Sequence, residues 1–260
     1  MRGDKAEDVH HITTASSTAL SNECVFVACL ERKVRKMSNT RTLIIVEVAL
    51  AIALAAVFNF IQIRLPINIM GGSINLSMLP IAIVALRRGV VSGCVAGAAF
   101  GFLDLLLEPL ILVPIQVLLD YPLPYLFFGL GVGLFSRLYN KMVNQKGQQG
   151  FGRFLAGGSL VILVSLIIGG LVRLACHAIS GVFFFSEYAS NFFAENPTFL
   201  VAGPVDAGLN VWIYSVVYNL TYLLPSLVCV GICVLIIAPV LAKAVPVRKQ
   251  VRQVAEQARI

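Results

Sequence analysis

The chain has 260 residues, of which 58% are hydrophobic and only 13% charged, with a mean hydropathy of +0.87. Ordinary soluble domains run about 45–50% apolar and about a quarter charged, so a soluble globular protein is excluded and one polytopic membrane domain accounts for most of the length. The formal charge of +7, from 20 Lys and Arg against 13 Asp and Glu, would hint at nucleic acid in a soluble protein, but here it points to basic cytoplasmic loops and no nucleic-acid partner.

Residues 1–36 are polar and mixed in charge, and their one apolar run, Cys24 to Leu30, is too short for a signal-peptide core. Met37 heads MSNTRTLIIVEVAL, which reads as a natural start, so residues 1–36 are expected to be a disordered extension to a membrane domain at 37–243. Hydropathy then predicts an all-α fold of six transmembrane helices, at 42–63, 74–87, 89–107, 113–138, 153–184 and 209–242. The second is short and flanked by GGSINL and RRG, as expected of a helix entered from a Gly-rich reentrant loop. Segment 190–208, with Pro197 and Pro204, reads as an external loop, and 244–260 as a basic cytoplasmic tail. With both termini cytoplasmic, 18 of the 20 cations fall on one side and only Arg64 and Arg173 elsewhere, as the positive-inside rule requires. The six Cys read as buried small hydrophobes, with no metal site expected.

Helix one contains Ala49 and Ala53, and also Ala51 and Ala55, in small-xxx-small spacing that suits either internal packing or contact with a partner membrane subunit. Ionisable side chains in hydrocarbon cost about 2.5–3.5 kcal/mol, so Glu47, Asp104, Glu108, Asp120, Arg173 and His177 are candidates for function. In helix four Gln116 and Asp120 share one face beside Tyr121, while Pro122 and Pro124 interrupt the backbone bonding. Asp120 suits either a counter-ion for a cationic solute among aromatics or a structural carboxylate satisfied by exposed N–H groups or Arg173. His177, four residues after Arg173, either contributes to the same site or caps the helix end. In helix six Trp212, Ser215, Asn219, Tyr222 and Ser226 form one polar and aromatic stripe. Tyr214 lies about 140° from Asn219 on an ideal helix, so the two are expected to share a ligand only through a distorted first turn. Asn219 is also explained by interhelical hydrogen bonding. These helices place polar groups at one outer depth, without a nucleophile–base pair, zinc-ligand spacing or Walker motif, so the residues indicate a solute-binding membrane protein whose energy source is on another chain.

Four motifs in order, GGSINLSMLPIAIVALRRG, PIQVLLDYP, LVRLACHAISGVFFF and VWIYSVVYNLTYLLPS, resemble the thiamine-specific substrate-binding (S) component of energy-coupling factor transporters. The resemblance covers about 42–242 and implies a six-helix S-component fold in a bacterial cell membrane, capture of thiamine on the external side, and no cofactor of the chain's own. It also implies assembly with a transmembrane coupling subunit and two cytoplasmic ATPase subunits, which use the ATP. Matched residue by residue, the family's substrate-binding positions fall on Asp120, Tyr121, His177, Phe185, Tyr214 and Asn219, and its helix-one contact motif on Ala49 and Ala53. Gln116 and Trp212 are added as further candidates by the helix faces they occupy. Some relatives carry Trp at the position of Phe185, and the loop between helices five and six is longer here, so lid contacts do not carry over. An S component for another vitamin, an intramembrane enzyme using Asp120 and His177, and a structural protein are the competing expectations.

Overall fold

The structure, a computed structural model, describes residues 41–66, 71–144, 151–188 and 207–244. Residues 1–36, 189–206 and 245–260, on which the expected extension, most of the external loop and the basic tail fall, lie outside them. The chain divides into two units, Met1–Val46 and Glu47–Ile260, and the contacts that follow belong to the second. The helices are α1 Arg41–Phe60, α2 Met78–Arg88, α3 Val90–Leu107, α4 Pro114–Asp120, α5 Pro122–Leu134, α6 Ser136–Asn144, α7 Phe151–Phe184 and α8 Ala207–Ala244. The described residues form no strand; one antiparallel bridge, Ile63 to Ile74, pins the connection between α1 and α2.

Among the described residues five stretches are long and apolar enough to cross a bilayer: Arg41–Phe60, Val90–Leu107, Pro114–Leu134, Gly157–Phe184 and Val211–Ala238. The sixth expected span, α2, has 11 residues, or about 16 Å of helix, half a hydrocarbon core. It is nonetheless the most enclosed element, with Met78, Ile81, Ala82, Ala85 and Leu86 at 0–1% exposure. At its end Gly89, with φ 95°, turns the chain directly into α3. The expected helix over 113–138 is instead three pieces. Pro122 and Pro124 lack the N–H that would continue the ladder, so α4 stops at Asp120 and α5 begins at Pro122, with Tyr121 between them at ψ −79°.

The outward faces are apolar: Val57, Val91, Leu106, Leu160, Ile232 and Ile236 are each more than half exposed, the pattern of helices whose surroundings are lipid rather than water. Inside, Phe100, Tyr125, Phe128, Val132, Leu223 and Val230 form one core. α3 and α5 come close enough that a Cβ added at Gly97 would sit 2.6 Å from the Tyr125 carbonyl carbon, which fixes the backbone carrying Tyr121 and Tyr125. At the end where α2 finishes, Glu47 of α1 accepts from Arg88 at 2.5 and 2.6 Å and lies 3.5 Å from Arg87. That bond holds the Arg88 guanidinium above its ordinary pKa.

Two expectations are refined here. Of the paired alanine spacings in α1, Ala51 and Ala55 are buried and pack inward, whereas Ala49 and Ala53 are exposed. Of the four described cysteines only Cys176 is buried; Cys229 is exposed on the apolar outer face, because a thiol is compatible with hydrocarbon and needs no core to hold it.

Candidate functional site

At the end of the helices opposite the Glu47–Arg88 pair, a cavity of about 520 Å³ opens between the C-terminal ends of α1, α3 and α7, the start of α8, the α4–α5 break and the segment 71–75. Its size is within the range of small-molecule sites. Seven of the eight sequence-predicted pocket residues line it: Gln116, Asp120, Tyr121, His177, Phe185, Tyr214 and Asn219. Trp212 does not. It is 42% exposed in the second turn of α8, outside the lining, although its helical stripe continues inward through Ser215, Asn219, Tyr222 and Ser226. Packing ends before that stripe does, so the helical period identifies the right face but not where burial begins.

Each group is held by its neighbours. Gln116, fully buried, donates from Nε2 to Asp120 Oδ2 at 2.5 Å and to the Leu110 carbonyl at 3.2 Å, and accepts from Leu112 N at 3.1 Å. It therefore orients Asp120 with its own capacity spent on the protein. The other Asp120 oxygen lies 3.7 Å from His177 Nδ1. His177 Nε2 accepts from Arg173 Nε at 3.4 Å, which leaves the imidazole proton on Nδ1, facing the carboxylate. Tyr121 has its hydroxyl engaged with the α3–α4 connection, donating to the Glu108 carbonyl and accepting from Leu110 N, both at 2.7 Å; only its ring is offered to the cavity. Asn219 donates to the Ser215 carbonyl at 2.8 Å and accepts from the Tyr222 hydroxyl. Its expected interhelical bond is thus replaced by bonds within α8, and one donor and one acceptor site of the amide stay uncommitted by them.

Tyr214 needs no distorted turn to share the site. Two adjacent stripes of α8 both face the cavity, Tyr214 with Tyr218 and Ser215 with Asn219 and Tyr222, because the cavity wraps more than one side of the helix. The Tyr214 and Tyr218 rings are 5.9 Å apart and those of Tyr218 and Tyr222 6.4 Å, a ladder of aromatic faces at four-residue spacing. The Tyr218 hydroxyl donates to the Gly71 carbonyl at 2.8 Å, which ties segment 71–75 to α8. Gly72 then passes so close that an added Cβ would lie 2.6 Å from Tyr222 Cδ1, and its φ of 89° is one L side chains rarely adopt.

The sequence singles out Asp104 as an intramembrane acid without placing it in this cavity, and gives no signal for four further lining residues, Asn59, Asn75, Tyr125 and Tyr218. Asn59 donates to Asp104 Oδ1 at 2.8 Å and accepts from Asn75 Nδ2 at 3.1 Å, and Asn75 in turn accepts from Ser77. Arg173, 6% exposed, lies 3.9 Å over the Tyr125 ring. Glu108 pairs with Arg64 and accepts from Gln62 at the rim. Among the described residues the lining thus carries three carboxylates, Asp104, Glu108 and Asp120, against two guanidiniums, Arg64 and Arg173. With all five ionised and His177 neutral, the net is one negative charge among aromatic faces. Such a cavity favours a flat monocation with hydrogen-bonding edges.

The chain is similar to known proteins over most of its length. A family model described as thiamine transporter protein (Thia_YuaJ) matches residues 45–198. A thiamine transporter ThiT of Bacillus subtilis (strain 168) is 30% identical over 186 residues, 70% of this chain and 83% of that protein. Another, from Lacticaseibacillus paracasei, is 30% identical over 178 residues, 67% and 76% of the two chains. The solved structure of ThiT from Listeria monocytogenes superposes with a TM-score of 0.61 at 27% identity, covering 80% of this chain and 97% of that one. The all-helical fold, the apolar outer faces and the similarity over most of the length show that this chain is a multi-pass membrane protein of the bacterial thiamine transporter family.

Proposed function

We propose that the chain is the thiamine-binding S component of an energy-coupling factor importer, capturing the vitamin from outside and passing it inward with a partner transmembrane subunit and two ATPase subunits. The observation that carries the reading is the cavity's surplus of one carboxylate beside an aromatic ladder. Thiamine's thiazolium is a permanent, flat cation, which a desolvated carboxylate and ring faces together favour. Its aminopyrimidine presents donors and acceptors for groups such as the His177 imidazole and the free sites of the Asn219 amide. Asp120 neutralises the ring, Tyr121, Phe185 and Tyr214 supply stacking faces, and Gln116 holds Asp120 in place.

The external orientation is supported by charge. The Glu47–Arg88 cluster and the cations of α6 stand at the end away from the cavity, so the positive-inside rule puts the cavity mouth outside. The exposed Ala49 and Ala53 face of α1 gives the coupling subunit's helix a surface with short side chains on which to approach. No cofactor enters this scheme. ATP is spent on the partner subunits, and thiamine leaves unmodified, so Asp120 and His177 bind and do no acid–base chemistry. Calorimetry of the purified chain against thiamine, riboflavin and biotin tests the reading: the two vitamins without a fixed cation should bind at least tenfold more weakly. Equal affinity for all three, or turnover of thiamine to a product, would remove it.

A further inference from the structure

Asp104 sits in the cavity wall with no role in the scheme above, although a carboxylate at membrane depth is expensive to keep. Its orientation is over-determined. Asn59 donates to it at 2.8 Å, and Asn59 cannot turn its amide around because its oxygen already accepts from Asn75. Among the described residues the cavity's interior, as distinct from its rim, holds one guanidinium, Arg173, and two carboxylates, Asp104 and Asp120; the Arg64–Glu108 pair is 62% and 37% exposed and cancels itself in contact with solvent.

Arg173 is the group in need of a counter-charge. It is 6% exposed, its Nε is committed to a neutral imidazole, its carbon lies over the Tyr125 ring, and its Nη1 has no partner. His177 stands between it and Asp120, so that side offers the guanidinium a neutral nitrogen and not a carboxylate. Tyr125, over whose ring the guanidinium lies, shares the cavity lining with Asp104, the other interior carboxylate. We infer that Asp104 is a positioning residue for ligand charge: it offsets Arg173, and Asp120 is thereby left uncompensated for the cationic ring. This rests on the reading of the cavity as a thiamine site.

The consequence is a selectivity that depends on charge alone. In Asp104→Asn the shape and the Asn59 bond persist, but Arg173 then draws on Asp120 and competes with the ligand. The test compares thiamine with its uncharged isostere, in which carbon replaces the thiazolium nitrogen, by competition against labelled thiamine on the full chain in detergent. Asp104→Asn should cut the preference for thiamine over the isostere about tenfold, and Asp104→Asn/Arg173→Gln should restore most of it. Asp104→Glu, which keeps the charge, should keep the preference even if it costs stability. An equal loss of both ligands, an unchanged preference, or a double variant no better than the single one overturns the inference while leaving the thiamine reading intact. A wild-type chain that binds no thiamine overturns both.

Discussion

Replacing Asp120 by Asn separates the ligand's counter-ion from the fold. Asn is nearly isosteric, and its carbonyl oxygen can still accept from Gln116, so the 2.5 Å bond that seats the side chain has a successor. What is lost is the charge: the lining goes from one net negative charge to none. With an effective dielectric of about 20 and a separation of about 5 Å, a unit charge pair contributes about 3 kcal/mol, and charge-assisted contacts measured by substitution fall at about 1.5–3 kcal/mol. These figures correspond to a loss of about one to two decades in affinity. Calorimetry with thiamine on purified wild-type and Asp120→Asn protein, paired with a thermal melt, reads both quantities. An Asp120→Asn chain that melts like wild type and binds thiamine with unchanged affinity would refute the reasoning.

Glu108→Gln provides the rim counterpart: its pair with Arg64 is solvent-exposed, so thiamine affinity should change by less than about threefold in the same calorimetry. Gly72→Ala places a methyl against Tyr222 at a φ of 89°, which costs about 1–3 kcal/mol and should lower both the melting temperature and the affinity. Trp212→Phe lies outside the cavity and should leave thiamine affinity within about twofold. Ala53→Leu alters the exposed face of α1 and should weaken co-purification with the coupling subunit while leaving binding by the isolated chain intact.

Hydrophobic run length made most of the fold legible. The α3, α7 and α8 bounds fall within two residues of those expected, and the break at Pro122 follows from the missing N–H of proline. The site was legible where a costly group had no other reason to be in an apolar helix, as with Asp120 and His177. It was illegible where placement depends on tertiary closure. Asp104 was visible as an intramembrane acid, yet nothing in α3 says that Asn59, from a different helix, will hold it. Tyr214 looked misplaced because a single helix has one face toward one neighbour, whereas α8 has the cavity on more than one side. Trp212 had the right period and the wrong depth. Tyr218 carries no charge and follows no stripe containing Asn219, so its bond to the Gly71 carbonyl emerges only when segment 71–75 is folded over it.

The central claim, that this cavity holds thiamine, is tested most directly by mass spectrometry of what the protein itself retains. Chain purified from cells grown with a vitamin mixture, with no ligand added afterwards, should release unmodified thiamine at about one molecule per chain, as expected if this cavity holds one cation against its surplus carboxylate. Release of a different vitamin, or of a thiamine-derived product, would contradict the account.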